Sequence, residues 1–476
     1  MSMKREIFLE YGRELVRMAV VEDGKLCEYA LERAGEGKRT GSLYKGRVQR
    51  VLSGMQAAFV DIGLEKNAFL PLSGSGSVRG GQELLVQVLK DPPGETKGLR
   101  LTREITLPGR LCVLKPGGAG VSVSRKLAAP AQERLRALGG AICPPDCGLL
   151  LRTQAERADD ADIETEARAL YERLLSIERA YANRSGPGLV LQEEDLAGRM
   201  LRDLLTPDTV RVAAQGEGAQ ALRELVPENL LELHDAQSTP IFDVYGLETK
   251  VERACQRRVW LDCGGYLVID PCEAMTVIDV NSGKYTGKRG LEETAYAVNL
   301  EAAREIARQL RLRDVGGIVV ADFIDMEKEE HVEGVLTALR EALASDRSKT
   351  HLVDMTGLGL VELTRKRLSQ PLGEVLTRAC PLCRGAGRVL REEEIARRAL
   401  LEVRRRLSAG SGAALLLTLH PSAAQALSAL CAPEGARVYA LAKPGTPLEK
   451  FALTALAENE TPPQGAALLN TEGRNP

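Results

Sequence analysis

The sequence predicts a multidomain protein of the mixed α/β (α+β) class, and three observations support this prediction. The chain has 476 residues, of which 44% are hydrophobic, so it exceeds what one hydrophobic core normally accommodates. Short apolar runs separated by glycine-rich turns occupy residues 38–105. Strand and helix patterns then alternate between residues 255 and 376, which is typical of a sheet covered by helices.

Residues 38–105 have the pattern of a small β-barrel. Five short strand-like runs, including 42–51 and 83–88, are typical of an OB-type barrel. Such barrels bind single-stranded nucleic acid by stacking bases on aromatic side chains inside a basic groove. The candidate contacts are aromatic and basic residues of this segment: Tyr44, Lys45, Phe59, Lys66, Phe69 and Lys97. The alternative is that Phe59 and Phe69 belong to the barrel core.

Residues 106–197 mix strands with one long helix. An apolar strand pattern ends in Arg152 and Thr153, and apolar residues recur at helical spacing over residues 163–184. An arginine fork and a neighbouring hydroxyl can bind phosphate oxygens. Exposed Arg-Thr pairs are common, however, so the dipeptide alone predicts little.

Two apolar runs within residues 255–376 end in carboxylates. The first, Ala-Met-Thr-Val-Ile-Asp-Val-Asn-Ser-Gly, covers 274–283, and the second, Gly-Gly-Ile-Val-Val-Ala-Asp-Phe-Ile-Asp-Met, covers 316–326. A helical pattern over residues 291–311 separates them, and this strand–helix–strand order with short links predicts parallel neighbours. Both acidic ends then lie on the same edge of the sheet, where ligands bind in open α/β sheets.

The period-two alternation of strand side chains decides which of these polar groups converge. Asp279 and Asn281 share one face of the first strand, and Asp322 can meet them, whereas Asp325 is expected to point elsewhere. Two aspartates suffice for Mg²⁺, because this ion keeps several waters and takes one or two carboxylates. The alternative is that the aspartates cap helices at strand-to-helix turns, and spacing alone does not decide between the two.

Composition argues against several classes of protein. No run of eighteen apolar residues is present and the first residues lack the apolar core of a signal peptide, so we expect no membrane span. Ten cysteines without disulfide-scaffold spacing indicate a reducing compartment, and we expect a cytoplasmic protein. A phosphotransferase is disfavoured because the sequence contains no G-x-x-x-x-G-K-[ST] phosphate loop.

Charge is nearly balanced along the chain. The 64 basic and 66 acidic residues give a net charge of −2, so any field that attracts nucleic acid must be local. Basic residues near the predicted carboxylate site include Arg253, Arg257, Arg258 and the runs 284–289 and 365–367. Each of them, taken alone, more often marks a solvated face than a nucleic-acid track.

Cys380 and Cys383 are separated by two residues, which is the spacing of half a zinc site. A structural zinc ion needs four ligands, and no second pair follows nearby. Three interpretations stay open: a redox pair, an intrachain site completed by Cys143 and Cys147, or a site shared by two identical chains. A twofold axis makes the shared site natural, because it turns two ligands into four.

Several motifs together resemble the ribonuclease E/G family. They are Val-Ile-Asp-Val-Asn-Ser-Gly at 277–283, Leu-Glu-Glu-Thr-Ala at 291–295 with Arg-Gln-Leu-Arg-Leu-Arg at 308–313, Asp-Phe-Ile-Asp-Met at 322–326, and Gly-Leu-Val-Glu-Leu-Thr-Arg-Lys-Arg at 359–367 followed by the cysteine pair. The resemblance begins at the first residue and extends just past that pair. No single motif carries it.

The resemblance implies a division of the chain into subdomains. The implied parts are a ribonuclease H-like subdomain (1–37 and 198–254), an OB-fold RNA-binding barrel (38–105), a 5′-phosphate sensor region (106–197), a DNase I-like catalytic subdomain (255–376), a zinc link (377–390) and a small C-terminal α/β domain (391–476).

The resemblance also implies an activity. A member of this family is expected to be a Mg²⁺-dependent endoribonuclease of RNA processing and decay. It would cleave single-stranded RNA with a metal-activated water, leave 5′-phosphate and 3′-hydroxyl ends, and prefer 5′-monophosphorylated RNA. A non-catalytic RNA-binding assembly protein is the alternative from a different class.

Residue roles follow from the same resemblance. The implied roles are magnesium ligation by Asp279 and Asp322 with support from Asn281, 5′-phosphate binding by Arg152, Thr153 and Arg125, a phosphate contact by Lys349, and zinc ligation by Cys380 and Cys383. The zinc ion would join two chains into a homodimer, and whether dimers pair into tetramers stays open. Residues 154–157 depart from the small Ala-Gly sequence of many relatives, which leaves the shape of the phosphate pocket open.

Overall fold

The computed structural model describes residues 3–33, 39–72, 78–91, 98–283, 290–367, 369–410, 414–433, 436–457 and 460–470. The chain divides into two compact units, Met1–Val375 and Leu376–Pro476. Within the described ranges, none of the helices combines the length and the apolar character needed to cross a membrane. The predicted contact Lys97 and the basic run 284–289 lie outside the described residues.

A five-stranded mixed sheet is formed by two separate parts of the first unit. Its strands are β1 (Arg5–Tyr11), β2 (Leu15–Glu22), β3 (Lys25–Arg33), β14 (Thr209–Gly216) and β15 (Leu231–His234), in the order β15-β14-β1-β2-β3. The first three strands are antiparallel, whereas β14 runs parallel to both β1 and β15. Because β1 pairs with β14, the chain between β3 and β14 is an insertion into this sheet. Helix α3 (Leu196–Leu204) lies between the insertion and β14. Helices α4 (Ile241–Val244) and α5 (Leu247–Ala254) follow β15.

The first part of the insertion is a closed β-barrel. Its strands are β4 (Leu43–Leu52), β5 (Ala57–Asp61), β6 (Ala68–Pro71), β7 (Glu83–Lys90) and β8 (Arg100–Thr102). They pair in the order β4-β5-β6-β8-β7, and β7 closes the ring on β4. Gly46 allows this closure, because a Cβ atom there would lie 2.5 Å from Val60 Cγ1. The predicted mixed α/β class with a five-stranded, OB-like barrel is thereby confirmed.

A smaller four-stranded sheet follows the barrel. Its strands are β9 (Leu107–Pro108), β10 (Cys112–Pro116), β11 (Val121–Val123) and β12 (Cys147–Leu151), in the order β11-β12-β10-β9. Helices α1 (Ala129–Ile142) and α2 (Asp160–Asn183) pack on it through apolar residues at helical spacing, and β13 (Gly188–Leu191) returns the chain to pair with β4. The parallel pair β11–β12 ends next to Arg152.

A six-stranded sheet completes the first unit. Its strands are β16 (Arg258–Trp260), β17 (Tyr266–Pro271), β18 (Met275–Asn281), β19 (Gly317–Asp322), β20 (Thr350–Met355) and β21 (Leu360–Arg365), in the order β16-β17-β18-β19-β21-β20. Helices α6 (Leu291–Leu312) and α7 (Glu329–Ala344) share one core with a single face of this sheet, and α8 (Leu372–Leu376) follows. The second face is not part of that core. It is called the open face below.

A buried cluster of charges joins α6 to the five-stranded sheet. Arg311 donates to Glu22 at 2.9 Å and to Glu28 at 3.0 Å, and Arg5 donates to Glu22 at 2.8 Å. Burial alone would lower the pKa of Arg311, but its hydrogen bond to Glu22 and the charges of both carboxylates outweigh burial, so the pKa is raised. Burial would raise the pKa of Glu22, yet its bonds to Arg311 and Arg5 lower it. The stabilisation from Glu22 is therefore present above the ordinary glutamate pKa and is lost as the pH falls through the lowered value.

The second unit is a small α/β domain. It contains α9 (Glu392–Ser408), β22 (Ala414–Leu419), α10 (Pro421–Leu427), β23 (Arg437–Ala442), β24 (Phe451–Leu456) and β25 (Ala466–Leu468), with the strand order β24-β22-β23-β25. Helix α9 has glutamates in its first turn and arginines in its last, which complements the helix dipole.

We expect Arg311→Ala to destabilise the first unit strongly. Removing the cation leaves Glu22 and Glu28 buried with one partner fewer, and breaking a buried ion pair in this way costs about 3–5 kcal/mol. Urea unfolding followed by the fluorescence of Trp260, the single tryptophan, measures the change in the same unit. The matched control is Arg168→Ala, because Arg168 forms an exposed helical pair worth about 0.5 kcal/mol or less. Equal midpoints for the two variants would contradict the structural role of Arg311.

Candidate functional site

The two predicted carboxylates lie opposite each other on neighbouring parallel strands. Strands β18 and β19 pair in parallel, and Asp279 is the register partner of Asp322. Paired residues on adjacent strands share a face, and their Cα atoms are about 4.8 Å apart. Both side chains are exposed, whereas their neighbours Ile278 and Ala321 are buried in the core beneath. The predicted parallel pairing and shared face are therefore confirmed, while the role of the two aspartates as metal ligands stays a prediction.

Asn281 holds one of these carboxylates in place. Its Nδ2 donates to Asp279 Oδ2 at 2.8 Å, so the amide fixes the orientation of the carboxylate without adding charge. The chain turns directly afterwards at Gly283, which has φ +58°. A Cβ atom at Gly283 would lie 2.5 Å from the carbonyl oxygen of Gly264, so a larger residue does not fit this turn.

The segment that follows Asp322 is held by helix α6. The fully buried Asn299 donates to the carbonyl of Ile324 at 2.7 Å and accepts from its N–H at 3.1 Å. Near the start of the same helix, Glu292 accepts from the backbone of Glu327 at 2.9 Å. Sequence reasoning missed both positioning residues, because nothing local predicts which loop they contact.

The donor set fits a magnesium ion. Asp279 and Asp322 supply two hard carboxylate ligands on one face, and Mg²⁺ needs only one or two with water filling the remaining positions. No cluster of three or more histidine, cysteine or acidic side chains suited to a metal occurs among the described residues. Asp325 is exposed three residues beyond the end of β19, and its Oδ1 lies 3.8 Å from where a Cβ atom of Gly359 would be.

The predicted phosphate pocket lies where β11 and β12 end. Thr153 Oγ1 is 2.9 Å from the hydroxyl of Ser124, and the exposed Arg125 follows Ser124 directly. Arg152 donates to Asp203 and to the carbonyl of Gly109, each at 2.7 Å. An incoming phosphate must therefore compete with Asp203 for this guanidinium. Ser124 follows the end of β11, in the segment 121–125 that the family resemblance implies as the wall of the pocket. Asp203 could not be found from the sequence, because it is on α3, about fifty residues further along the chain.

Asp203 also connects this pocket to the buried charge cluster. Its carboxylate is 3.8 Å from Arg347, and Arg347 lies 3.0 Å from Glu28, which binds Arg311. A continuous chain of ion pairs thus runs from Arg152 to helix α6.

The barrel exposes only part of the predicted RNA-binding set. Phe59 and Phe69 are cross-strand partners on the outside of the barrel, with ring centroids 6.3 Å apart. Arg50 pairs with Phe59, and Arg100 pairs with Phe69, so two cations that sequence reasoning missed flank the rings. Both arginines are exposed.

The predicted RNA contacts of Tyr44 and Lys45 need correction, because both side chains are buried. Tyr44 is 5% exposed and lies in the barrel core, because its position on β4 points inward. Lys45 is 8% exposed and its ammonium group binds Glu83 at 3.0 Å and the carbonyl of Arg184 at 2.8 Å. Burial of both side chains speaks against the predicted contacts with RNA.

Lys349 does not lie near the carboxylate pair. It precedes Thr350, which pairs with Arg365, and Arg365 pairs with Gly317 at the start of β19. Asp322 is at the other end of that strand, about 17 Å away along the sheet. The predicted contact with the scissile backbone is therefore not supported, although Lys349 is exposed.

The cysteine pair of the second unit forms a knuckle-like turn. The N–H of Arg384 donates to the Cys380 carbonyl at 2.7 Å, and Arg384 has φ +50°. Backbone N–H groups of Cys383 and Leu382 directed at the Cys380 thiol lower its pKa. A lowered thiol pKa favours the thiolate, which is the form that binds metal ions. All ten cysteines are free thiols in the structure, so no disulfide links this pair.

Comparison with known proteins adds to this geometry. The sequence model of the Ribonuclease E/G family matches residues 106–368. The chain is 38% identical to Ribonuclease G of Escherichia coli strain K12 over 453 residues, which cover 89% of this chain and 92% of that protein. The chain belongs to the ribonuclease E/G family. It is also 40% identical to Ribonuclease G of Haemophilus influenzae, over 84% of this chain and 87% of that protein.

A further relative is a longer protein than this chain. Ribonuclease E of Nostoc sp. is 39% identical over 375 residues, which cover 74% of this chain but 54% of that protein. The resemblance stated from the motifs is thus confirmed, and the family match includes both carboxylates and the Arg152 pocket.

Proposed function

We propose that the protein is a Mg²⁺-dependent endoribonuclease that cleaves single-stranded RNA. The observation that carries the proposal is the in-register pair Asp279–Asp322 on the open face of a sheet, in a member of the ribonuclease E/G family. The relatives that match most of the chain are named ribonucleases.

The carboxylate pair and Asn281 have different tasks in this proposal. Asp279 and Asp322 would hold Mg²⁺, and Asn281 keeps the Asp279 carboxylate turned toward it. When bound, the ion supplies charge neutralisation at a phosphodiester and a water of lowered pKa. Both carboxylates are exposed on the open face, where a cation can reach them. The proposed products carry 5′-phosphate and 3′-hydroxyl ends.

Substrate binding is assigned to sites away from the carboxylates. Phe59 and Phe69 offer stacking surfaces for unpaired bases, and Arg50 and Arg100 offer local positive charge. Arg152 and Thr153, with Arg125 beside them, are proposed to bind a 5′-monophosphate. Transcripts in processing and decay are the proposed substrates.

The proposed assembly is a homodimer joined by zinc. Cys380 and Cys383 supply two ligands, and two identical chains would supply the four that a structural zinc ion needs. Ten free thiols fit a reducing compartment, so we propose that the protein is cytoplasmic.

A non-catalytic RNA-binding assembly protein is the alternative function, and it would bind RNA without nicking it when Mg²⁺ is present.

We expect Asp279→Asn and Asp322→Asn each to reduce cleavage by at least about 100-fold, because each removes one anionic ligand of the ion. The assay follows a 5′-monophosphorylated oligoribonucleotide with Mg²⁺ or with EDTA and maps the product ends. Asp354→Asn, an exposed acid on β20, is the matched control and should cleave normally. Near-normal turnover of either active-site variant, or cleavage in EDTA, would rule out the assignment.

The 5′-phosphate pocket has its own test. Arg152→Ala should reduce the preference for 5′-monophosphorylated over 5′-hydroxyl RNA by roughly tenfold or more, since a hydrogen bond to a charged group contributes roughly 1.5–3 kcal/mol. The measurement is the ratio of kcat/KM for the two substrates. Arg168→Ala on the neighbouring helix is the matched control. An unchanged ratio in Arg152→Ala would place the pocket elsewhere.

The zinc link is tested by metal analysis and sedimentation. Cys380→Ser should lose bound zinc and sediment as a monomer, because two such chains supply only two thiolates. Cys431→Ser, an exposed cysteine in the same unit, should keep both zinc and the dimer. A zinc-free dimer would contradict the shared site.

A further inference from the structure

Among the phenylalanine, tyrosine and tryptophan side chains of the described residues, two are exposed. They are Phe59, at 37%, and Trp260, at 61%. Phe59 lies on the barrel, where a stacking role is already proposed. Trp260 lies on β16 and contributes little to the core beneath its sheet. Its exposure therefore needs another explanation.

Trp260 belongs to the same face as the carboxylate pair. It pairs with Tyr266, and Tyr266 pairs with Asn281, so these three residues form one row across the sheet. The next row runs from Arg258 through β17 to Asp279 and Asp322. Each step between strands is about 4.8 Å, which places the Cα of Trp260 about 10 Å from that of Asn281.

The side chains of this edge form an aromatic and cationic cluster. The Arg258 guanidinium carbon is 4.5 Å from the Tyr266 ring centroid and 5.7 Å from that of Trp260. The two rings are 5.3 Å apart and inclined at 60°. An exposed indole with a guanidinium beside it offers both a stacking surface and a positive charge.

We propose that Trp260, with Tyr266 and Arg258, is a stacking platform for a base of single-stranded RNA that flanks the scissile phosphodiester. The proposal rests on the proposed function, because the carboxylate pair defines where the phosphodiester lies. Every base has a π-face, so such a platform binds without strong sequence preference. Arg258 would pair with a phosphate of the bound strand, and it lies two strands from Asp279 in the same row of the sheet.

A protein partner fits this edge less well than RNA does. Arg258 lies against both rings of this cluster, and burying its charge in a dry interface carries a desolvation cost. Single-stranded RNA stacks on the ring while leaving that charge in contact with water. Its phosphates also balance Arg258.

The platform predicts a binding effect, not a chemical one. Trp260→Ala should raise KM roughly 5- to 100-fold, because stacking on an aromatic side chain contributes about that much to affinity. The value of kcat should change less than about twofold, since the lost contact is the same in the ground state and the transition state. Trp260→Phe should restore most of the affinity. Val353→Ala, an exposed apolar residue on β20, is the control with unchanged KM.

The chain offers a direct probe because Trp260 is its only tryptophan. Intrinsic fluorescence of the wild-type protein is titrated with a short single-stranded oligoribonucleotide in EDTA, where no cleavage is expected, and binding is followed in parallel by anisotropy. Fluorescence should be quenched in proportion to occupancy. Saturated binding without quenching, or an unchanged KM in Trp260→Ala, would overturn the platform.

Two further outcomes would also count against the proposal, and each has a different meaning. A fluorescence change that depends on protein concentration without RNA would assign the surface to a second copy of the chain. A wild-type enzyme that fails to cleave with Mg²⁺ would remove the proposed function and the platform with it. Normal cleavage without quenching removes the platform alone.

Discussion

The register between β18 and β19 is the constraint on which the candidate site depends. Asp279 and Asp322 meet only because the two strands pair in parallel with these residues opposite each other. A slip of one residue would turn one carboxylate into the core, since strand side chains alternate faces. Ile278 and Ala321, buried next to the aspartates, make that slip costly. The apolar alternation on the back of the sheet therefore determines the chemistry on its front.

The sheet separates its two tasks by face. Helices α6 and α7 cover one face and contribute the core, so the other face can carry charged side chains without desolvating them. Helix α6 serves both, because Asn299 fixes the chain just after Asp322 while Arg311 anchors the helix to the five-stranded sheet. Through Arg347 and Asp203 the same anchor reaches the Arg152 pocket. The pocket and the carboxylate pair are thus both connected to helix α6.

The features of the site that depend on local sequence could be predicted, whereas those that depend on long-range pairing could not. Period-two alternation and the strand–helix–strand order suffice to predict that Asp279, Asn281 and Asp322 share a face. They do not predict that Tyr44 turns inward, because the inside of a barrel is defined only once β7 closes on β4. The distance of Lys349 from the carboxylates is a long-range property too, since it follows from the antiparallel pairing that sets Thr350, the first residue of β20, opposite Arg365 at the end of β21. Partners such as Asp203 come from elements distant in the chain, and no local pattern names them.

Charge explains why substrate affinity must come from outside the carboxylate pair. Two aspartates side by side repel a phosphodiester until a cation lies between them, so they cannot hold RNA on their own. The chain has no excess of positive charge to compensate, as its net charge is −2. What the described surface offers is aromatic rings with arginines beside them, at Phe59 on the barrel and at Trp260 on the six-stranded sheet. Stacking does not depend on the charge of the site, so these rings can bind an unpaired strand across a centre whose own field opposes it.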